Sequence, residues 1–481
     1  MKSIKPFSQI LLVTLLSLSA CTKDFLNEPK PTQQVSANDV FQTEEGVWAY
    51  FNGIYSRLRS QWTNLNSSAG GTTDSWGIVS INLTREQKGD DVINPGGWYQ
   101  FDYRHENREP TYRRVIFTWA YFYEFINQAN LLLDGVAKGA LAEPAKKRFT
   151  AEARALRAWL YFEAVREFQH TYLKDPNAPG IPLYTGPTSP TTQGAPRGTL
   201  KDVYALINTD IDFAVANLDE NRTLKSNINR SVAYGLQARI NLEQGQWAKA
   251  KEAASKARQG YTLNAAEYKN GFTDVNSAEW MWAFPNTETD AQTLYYGIPN
   301  SFWGKMGEGY DNFFINEAFV QRFSSTDVRK LFYNTGSPSA QRRWATSKFG
   351  ETINFNAAMP MMRVSEMYLI EAEAMAELGE ADAGSTLYTL QKNRDSNMIK
   401  SENTGRLLVN EILLERRKEL YGELGVNFLD LKRRQLPLVR TGNHPAAFRF
   451  TIPANDPRFI LKIPQREIDA NDTIGPQDQN Q

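Results

Sequence analysis

The chain has 481 residues, with 54 lysines and arginines against 54 aspartates and glutamates, so its formal net charge at pH 7 is zero. This balance excludes the strongly basic surface on which nonspecific nucleic-acid binding depends. Only three histidines are present, and none has a partner at metal-binding spacing, so we expect no histidine-based metal site. We expect no cofactor, and a calcium ion among the acidic residues of the loops is left open because no calcium-loop motif is present. Aromatic residues make up 12% of the chain, a high share that suggests a use beyond core packing.

Residues 1–20 have the pattern of a secretory signal peptide. Lys2 and Lys5 form a short cationic start, and an apolar run from Ile10 to Leu18 follows. This run is too short to span a bilayer. The pattern predicts export and removal of this segment.

Cys21 is the only cysteine of the chain, so it cannot form an internal disulfide. It follows Leu18-Ser19-Ala20 and resembles the lipidated cysteine of a bacterial lipobox. Residues 21–36 are polar, contain two prolines and are predicted to be an extended tether. Two or more acyl chains give stable anchoring, so we expect a protein tethered to a membrane rather than embedded in it.

Apolar residues recur at helical spacing in several segments after the tether. The clearest of these predicted helices cover residues 38–59, 115–133, 144–168 and 199–218. Residues 261–360 and most of 61–114 lack this rhythm and are rich in glycine and aromatic residues. Long irregular segments in a compact protein are usually functional.

Two later stretches share a tetratricopeptide-like pattern, in which a tyrosine and an alanine stand at the same two offsets before a glycine. The matching sets are Tyr234 and Ala238 before Gly245, and Tyr368 and Ala372 before Gly379. Each glycine is predicted to end one helix and to open a tight turn to the next. Such helical hairpins bury a core only by stacking, so further copies are expected.

Charged residues crowd the segment from Glu415 to Arg434, which reads ERRKEL and later DLKRR. They could form a site for an anionic ligand. We favour the structural alternative, in which they are a helix-surface ion-pair network that holds the last hairpin against the body of the protein.

Four motifs in a fixed order resemble one family. They are ARALRAWLYFEAVREF, MRVSEMYLIEAEA, ERRKEL followed by DLKR, and the ending IPQREIDAN, all behind the lipobox-like cysteine. Together they are similar to the SusD/RagB family of surface nutrient-binding lipoproteins, and the similarity spans essentially the whole chain.

The resemblance implies a mainly α fold, in which about four tetratricopeptide-like hairpins support a loop-rich irregular subdomain. On this basis residues 37–481 form one SusD-like domain. Its predicted parts are a helical scaffold at about 37–60, 115–260 and 361–435, loop-rich ligand-binding portions at about 61–114 and 261–360, and a C-terminal tail at 436–481.

The resemblance also implies a place and a partner. Family members are anchored at the outer membrane, facing the cell exterior, and sit like a lid on a SusC-like TonB-dependent outer-membrane transporter. The ligand, usually an oligosaccharide and in some RagB-like members a peptide, is captured between the two proteins.

A sugar ring has an apolar face and a polar rim, so its site needs exposed aromatic rings with polar groups beside them. The candidate ligand-binding residues in the two loop-rich portions are Trp76, Asp91, Trp98, Tyr99, Tyr296, Trp303 and Tyr310. Trp98 and Trp303 are the strongest candidates, because neighbouring glycines are expected to leave their rings uncovered. Any of these rings could instead be a plug in the core.

An enzyme, such as a surface glycoside hydrolase, is the less favoured alternative. Hydrolysis needs two carboxylates about 5–10 Å apart. Asp90 and Asp91 are a poor acid and base pair, because the side chains of adjacent residues tend to diverge in direction. No Gly-x-Ser-x-Gly motif or phosphate-binding loop is present. A pure scaffold built from the hairpins is a further alternative, but the long aromatic loops argue against it. We therefore expect a binding protein without catalytic residues.

Overall fold

The computed structural model describes residues 37–62, 74–286, 297–303, 312–350 and 356–481. These residues form a mainly helical protein. The helices are α1 (Ala37–Val40), α2 (Glu44–Arg57), α3 (Gly77–Gln87), α4 (Gln100–Tyr103), α5 (Arg113–Lys138), α6 (Glu143–Phe168), α7 (Leu200–Asn217), α8 (Arg230–Glu243), α9 (Trp247–Ala257), α10 (Asn300–Trp303), α11 (Glu317–Val320), α12 (Val364–Glu377), α13 (Ala383–Arg394), α14 (Gly405–Leu420), α15 (Val426–Arg433) and α16 (Gln465–Ala470).

The strands of the described residues are short and pair only two by two, always antiparallel. The pairs are β1 (Val92–Ile93) with β3 (Phe314–Ile315), β2 (Trp280–Phe284) with β6 (Met359–Arg363), β4 (Phe332–Asn334) with β5 (Trp344–Thr346), and β7 (Leu438–Val439) with β8 (Thr451–Ile452). The strands therefore tie loops together instead of forming a separate sheet layer.

The long helices form a stacked scaffold. From α5 to α9, each helix packs against the next one along the chain. Helix α9 then packs on α12, although residues 258–363 separate them in sequence, and α12 packs on α13 and α14. The second loop-rich portion is thus inserted into a continuous helical stack, and most of the buried apolar side chains join one core.

The two predicted hairpin turns are confirmed. Helix α8 ends at Glu243 and α12 at Glu377, and the glycine two residues later has a positive φ in both cases, 67° at Gly245 and 72° at Gly379. A left-handed conformation at this position satisfies the free carbonyls of a helix end and suits glycine best. Ala238 and Ala372 are fully buried, as close helix contact requires.

Helix α3 lies inside a segment whose sequence predicts loops. Every residue from Gly77 to Gln87 is buried, so the helix has no solvent side and hence no amphipathic pattern. It is held by its tertiary partners instead. Arg85 donates hydrogen bonds to Glu163 at 2.7 Å and to Glu167 at 2.6 Å, both on α6.

The C-terminal tail, residues 436–481, contains one six-residue helix, α16, and it runs along the end of α6. The backbone amide of Leu461 donates to the carbonyl of Glu167 at 2.8 Å. The side-chain amide of Asn480 donates to the carbonyl of Phe168 at 2.6 Å, and Arg197 donates to Asn480 at 2.9 Å. Within the described residues, no helix is both long and apolar enough to cross a membrane.

The charged residues of α14 form ion pairs, as predicted, but inside the protein rather than on a helix surface. Glu419 is fully buried. Its carboxylate oxygens form ion pairs with guanidinium nitrogens of Arg329 at 3.0 Å, Arg363 at 2.8 Å and Arg394 at 2.9 Å. These arginines come from the loop before β4, the end of β6 and the end of α13. The network therefore joins the last hairpin to the inserted portion.

Candidate ligand-binding site

The two loop-rich portions meet through the pairing of β1 with β3. Val92 lies opposite Ile315, and Ile93 lies opposite Phe314. This short ladder places the loop that follows β1 beside the segment that precedes β3. Candidate residues from both portions consequently lie in one region of the molecule.

Trp98 stands on the loop after β1 and is half-buried, with one part of its ring packed on the core. Its backbone carbonyl accepts hydrogen bonds from the side-chain amides of Asn94 at 2.7 Å and Asn312 at 3.2 Å. Gly97 has a φ of 102°, and a Cβ there would lie 3.1 Å from the Asn312 amide nitrogen. The loop therefore needs glycine and is held in one conformation from both sides.

Tyr99 and Trp303 are core residues, which corrects the expectation that both reach a ligand. Tyr99 is 3% exposed and Trp303 is 2% exposed. The rings of both residues contact Phe313 edge-on, with centroids 5.6 Å away for Tyr99 and 5.3 Å for Trp303. Trp303 also stacks on Phe349 at 6.0 Å. Trp303 is buried although a glycine follows it in the sequence, because Phe313 and Phe349 pack against its ring.

Trp76 is also buried, at 4% exposure, so the prediction that its ring contacts a ligand is corrected for the same reason. It precedes α3, and its backbone amide donates to the hydroxyl oxygen of Ser80 at 2.6 Å. The Tyr99 hydroxyl donates to the same oxygen at 3.0 Å. The Ser80 hydroxyl of α3 thus links this helix to the loop that carries Trp98 and Tyr99.

Asp91 is committed to an internal ion pair, so the prediction that it contacts a ligand is corrected as well. Both of its carboxylate oxygens accept from Arg417 of α14, and the side-chain amide of Asn427 donates to one of them at 2.9 Å. Burial raises the pKa of Asp91 above its ordinary value, and the Arg417 guanidinium opposes that rise. Asp90 accepts from the Thr441 amide at 3.2 Å, so both carboxylates of this pair are engaged within the protein.

Two further candidates, Tyr296 and Tyr310, lie outside the described residues. Two exposed rings that are not among the predicted site residues follow Trp98 in the sequence. Phe101 on α4 is 54% exposed, and Tyr112 just before α5 is 46% exposed. The guanidinium of Arg104 lies 6.0 Å from the centre of the Phe101 ring. Helix α4 has only four residues, which is too short for a periodic pattern of apolar residues. The sequence therefore could not show that the Phe101 ring faces solvent.

In the part of the chain that the structure describes, no three histidine, cysteine, aspartate or glutamate side chains are grouped so that they could hold a metal ion. The surface that residues 98–112 contribute combines the half-buried ring of Trp98 and the exposed rings of Phe101 and Tyr112 with the guanidinium of Arg104. Such a surface can bind an uncharged ligand that has both apolar faces and hydroxyl groups.

Comparison with known families gives two matches. Residues 24–242 match the family described as "Starch-binding associating with outer membrane", SusD-like_3, and residues 316–480 match the SusD family, SusD_RagB. The matches lie in chain order and leave residues 243–315 and the two ends uncovered. The chain belongs to the SusD/RagB family.

Individual members of the SusD/RagB family resemble the chain at modest identity. A SusD-like protein from Bacteroides ovatus is 25% identical over 247 residues, which is 50% of this chain and 39% of that relative's length. A solved SusD-like carbohydrate binding protein from Bacteroides vulgatus is 25% identical, with a TM-score of 0.82, and covers 91% of this chain and 98% of its own. A SusD superfamily structure from Bacteroides thetaiotaomicron is 25% identical with a TM-score of 0.79, over 91% and 100% of the two chains.

Proposed function

We propose that this protein is a cell-surface lipoprotein that binds oligosaccharides and delivers them to a SusC-like TonB-dependent outer-membrane transporter. It is proposed to act by binding alone, without catalysis. Its anchor is the lipidated Cys21, which lies outside the described residues, so that the protein sits on the outer membrane and faces the cell exterior.

Family membership supports the class of ligand. The description of the family that matches residues 24–242 names starch binding and association with the outer membrane, and the solved Bacteroides vulgatus relative is called a carbohydrate binding protein. The geometry that carries the proposal is the loop of Trp98. Of the candidates within the described residues, Trp98 alone is not buried, and amides of both loop-rich portions hold it.

The proposed site therefore centres on Trp98, with Tyr296 and Tyr310 kept as proposed contacts. Phe101 and Tyr112 are added to it because their rings are exposed. Aromatic rings can stack on the apolar face of a sugar, while the partly exposed guanidinium of Arg104 can donate to its hydroxyl groups.

Calorimetry on the full chain tests this proposal, in a detergent that lacks a sugar headgroup. The probes are maltohexaose and laminarihexaose, with a mixture of short peptides as the alternative class. Trp98→Ala should weaken binding of at least one oligosaccharide about tenfold or more, which corresponds to about 1.4 kcal/mol. Chromatography of the incubated sugars should show no products.

The matched control is Trp247→Ala, because Trp247 is also a half-buried tryptophan but lies on the helical scaffold at the start of α9. This variant should bind as the unchanged protein does. Peptide binding without sugar binding would move the protein to the RagB-like alternative. Sugar hydrolysis would establish an enzyme.

The proposed partner needs a separate test. Affinity purification of the lipoprotein from native outer membranes should recover one TonB-dependent transporter in near-equal amount, identified by mass spectrometry. Recovery of the lipoprotein alone from gently extracted membranes would contradict delivery to such a transporter.

A further inference from the structure

A cleft of about 300 Å³ lies between α5, the proline-rich connection that follows α6, and α16. This volume is at the lower end of the range for small-ligand sites. None of its lining residues belongs to the candidate site around Trp98, and none is a lysine or arginine. The cleft is therefore separate from the Trp98 site, and Glu467 is the charged residue among those that line it.

Aromatic rings form two walls of this cleft. Tyr123 lies 4.7 Å from Trp119, centre to centre, at an angle of 35°, and 6.0 Å from Tyr184 at 84°. Trp119 is covered from behind by Phe168 at 4.8 Å and is nearly buried, whereas Tyr123 and Tyr184 are partly exposed. These two half-buried rings thus make a corner with nearly perpendicular faces.

The corner is fixed before any ligand arrives. The Tyr123 hydroxyl donates to the carbonyl of Pro182 at 2.9 Å, and the Tyr184 hydroxyl accepts from the amide of Ala195 at 3.0 Å. Ligand binding would therefore cost little side-chain entropy at these two rings.

Polar groups stand opposite the rings. The carboxylate of Glu467 accepts from the Trp119 indole at 3.2 Å and from the Asn471 amide at 2.8 Å, one bond on each oxygen. A carboxylate has about four acceptor positions, so it can accept further hydrogen bonds. On the other rim are the exposed hydroxyl groups of Ser189 and Thr192.

Asn127 of α5 holds that second rim in place. Its side-chain oxygen accepts from the backbone amide of Thr188 at 2.8 Å, and its nitrogen donates to the carbonyl of the same residue at 3.3 Å. The loop that presents the hydroxyl groups is therefore anchored to the same helix that carries Tyr123.

We propose that this cleft is a second carbohydrate-binding site that takes one sugar residue of a neutral oligosaccharide. The apolar face of the sugar packs against Tyr123 and Tyr184, and its hydroxyl groups donate to Glu467 and contact the rim of Ser189 and Thr192. The class of ligand rests on the proposed function, but the cleft shares no residue with the Trp98 site.

A long glycan that reached both sites would be held more tightly than a short one, because the second contact is intramolecular once the first has formed. The lack of cationic side chains among the lining residues favours neutral over anionic sugars.

Calorimetry on the full-length Trp98→Ala protein isolates the cleft, with maltohexaose and laminarihexaose as probes. At least one probe should still bind to this variant at a single site. Adding Tyr123→Leu, which removes the aromatic face, should weaken the remaining binding about tenfold or more. The matched control, Tyr123→Phe, keeps the ring and should retain most of the affinity.

A second variant, Tyr184→Leu, tests the other wall and should have the same effect as Tyr123→Leu. Melting temperatures of all variants show whether a loss reflects unfolding. Loss of all binding in Trp98→Ala alone would leave the proposed function intact and overturn the second site. Binding that ignores Trp98→Ala but disappears with Tyr123→Leu would support the cleft and overturn the Trp98 site. Absence of binding by the unchanged chain would overturn both.

Discussion

Glu86 is a carboxyl group placed where water cannot reach it. It lies on the all-buried helix α3 and accepts the backbone amide of Gly425 at 2.7 Å. Burial raises its pKa to about 8, although the amides of Gly425 and Gly422 act in the opposite direction. At neutral pH the folded protein therefore keeps a proton on Glu86 that the unfolded chain has released.

This proton makes stability depend on pH. Between the ordinary pKa of 4.5 and about 8, the folded state binds more protons than the unfolded state, so stability is lost as pH rises through this range. Glu86→Gln is neutral at every pH and should become progressively more stable than the unchanged protein from pH 5 to 8, by up to roughly 4 kcal/mol. Melting temperatures of the two proteins across this range measure the difference.

The control for this experiment is Glu45→Gln, which changes an exposed glutamate of α2. Its melting curve should follow that of the unchanged protein at every pH. Parallel curves for Glu86→Gln and the unchanged protein would show that Glu86 is ionised in the fold.

Trp98 and Trp303 show how far single residues of the site can be predicted. Both stand next to glycine in loop-rich sequence, yet one is half-buried and the other is covered. The difference arises from Phe313 and Phe349, which pack on Trp303 from elsewhere in the chain. A local pattern identifies where rings gather but carries no information on which long-range contacts cover them.

At the scale of elements, the buried carboxylate of Glu419 connects α14 to other parts of the fold. Burial alone would raise the pKa of Glu419, but Arg394, Arg363 and Arg329 hold it well below its ordinary value. The contribution of this carboxylate to stability is therefore present above its unfolded pKa and is lost only as pH falls below that value. Three segments of the chain are joined through a single side chain.

Glu419→Gln removes the charge and leaves three buried guanidinium groups with less compensation. Breaking a buried ionic group in this way typically costs about 3–5 kcal/mol, so the melting temperature at pH 7 should fall by several degrees. Calorimetric or fluorescence-detected melting measures the change.

The comparison variant is Glu252→Gln on α9, whose exposed pair with Lys256 is 2.7 Å long. Surface pairs of this kind contribute about 0.3–0.5 kcal/mol, so this variant should melt almost as the unchanged protein does. Equal effects of both substitutions would disprove a central role for Glu419.

The elements themselves were predictable to different degrees. The hairpin turns at Gly245 and Gly379 follow from local chemistry, a glycine after an amphipathic run, and the structure confirms them. Helix α3 has no such signal, because a helix surrounded by protein on all sides loses the alternation of apolar and polar faces. Its helical state depends on contacts such as those between Arg85 and α6.

At the scale of the molecule, attachment to the membrane is expected to depend on one atom, the sulfur of Cys21. Cys21→Ser should prevent acylation and release the protein from membranes, because the thiol that would carry the acyl chains is then missing. Immunoblots of membrane and soluble fractions after a carbonate wash measure this. Thr22→Ala, which changes the neighbouring residue, should remain with the membrane, and retention of Cys21→Ser there would contradict a lipid anchor.

The tail that runs along α6 sets an order in which the fold can be completed. A growing or exported chain emerges from its N-terminus, so α5 and α6 are available long before residues 461–480. The carbonyl of Phe168 nevertheless has its partner in Asn480, 312 residues later. The end of α6 therefore gains this hydrogen bond only after residue 480 has been made, so one end of a helix near the middle of the scaffold is completed late.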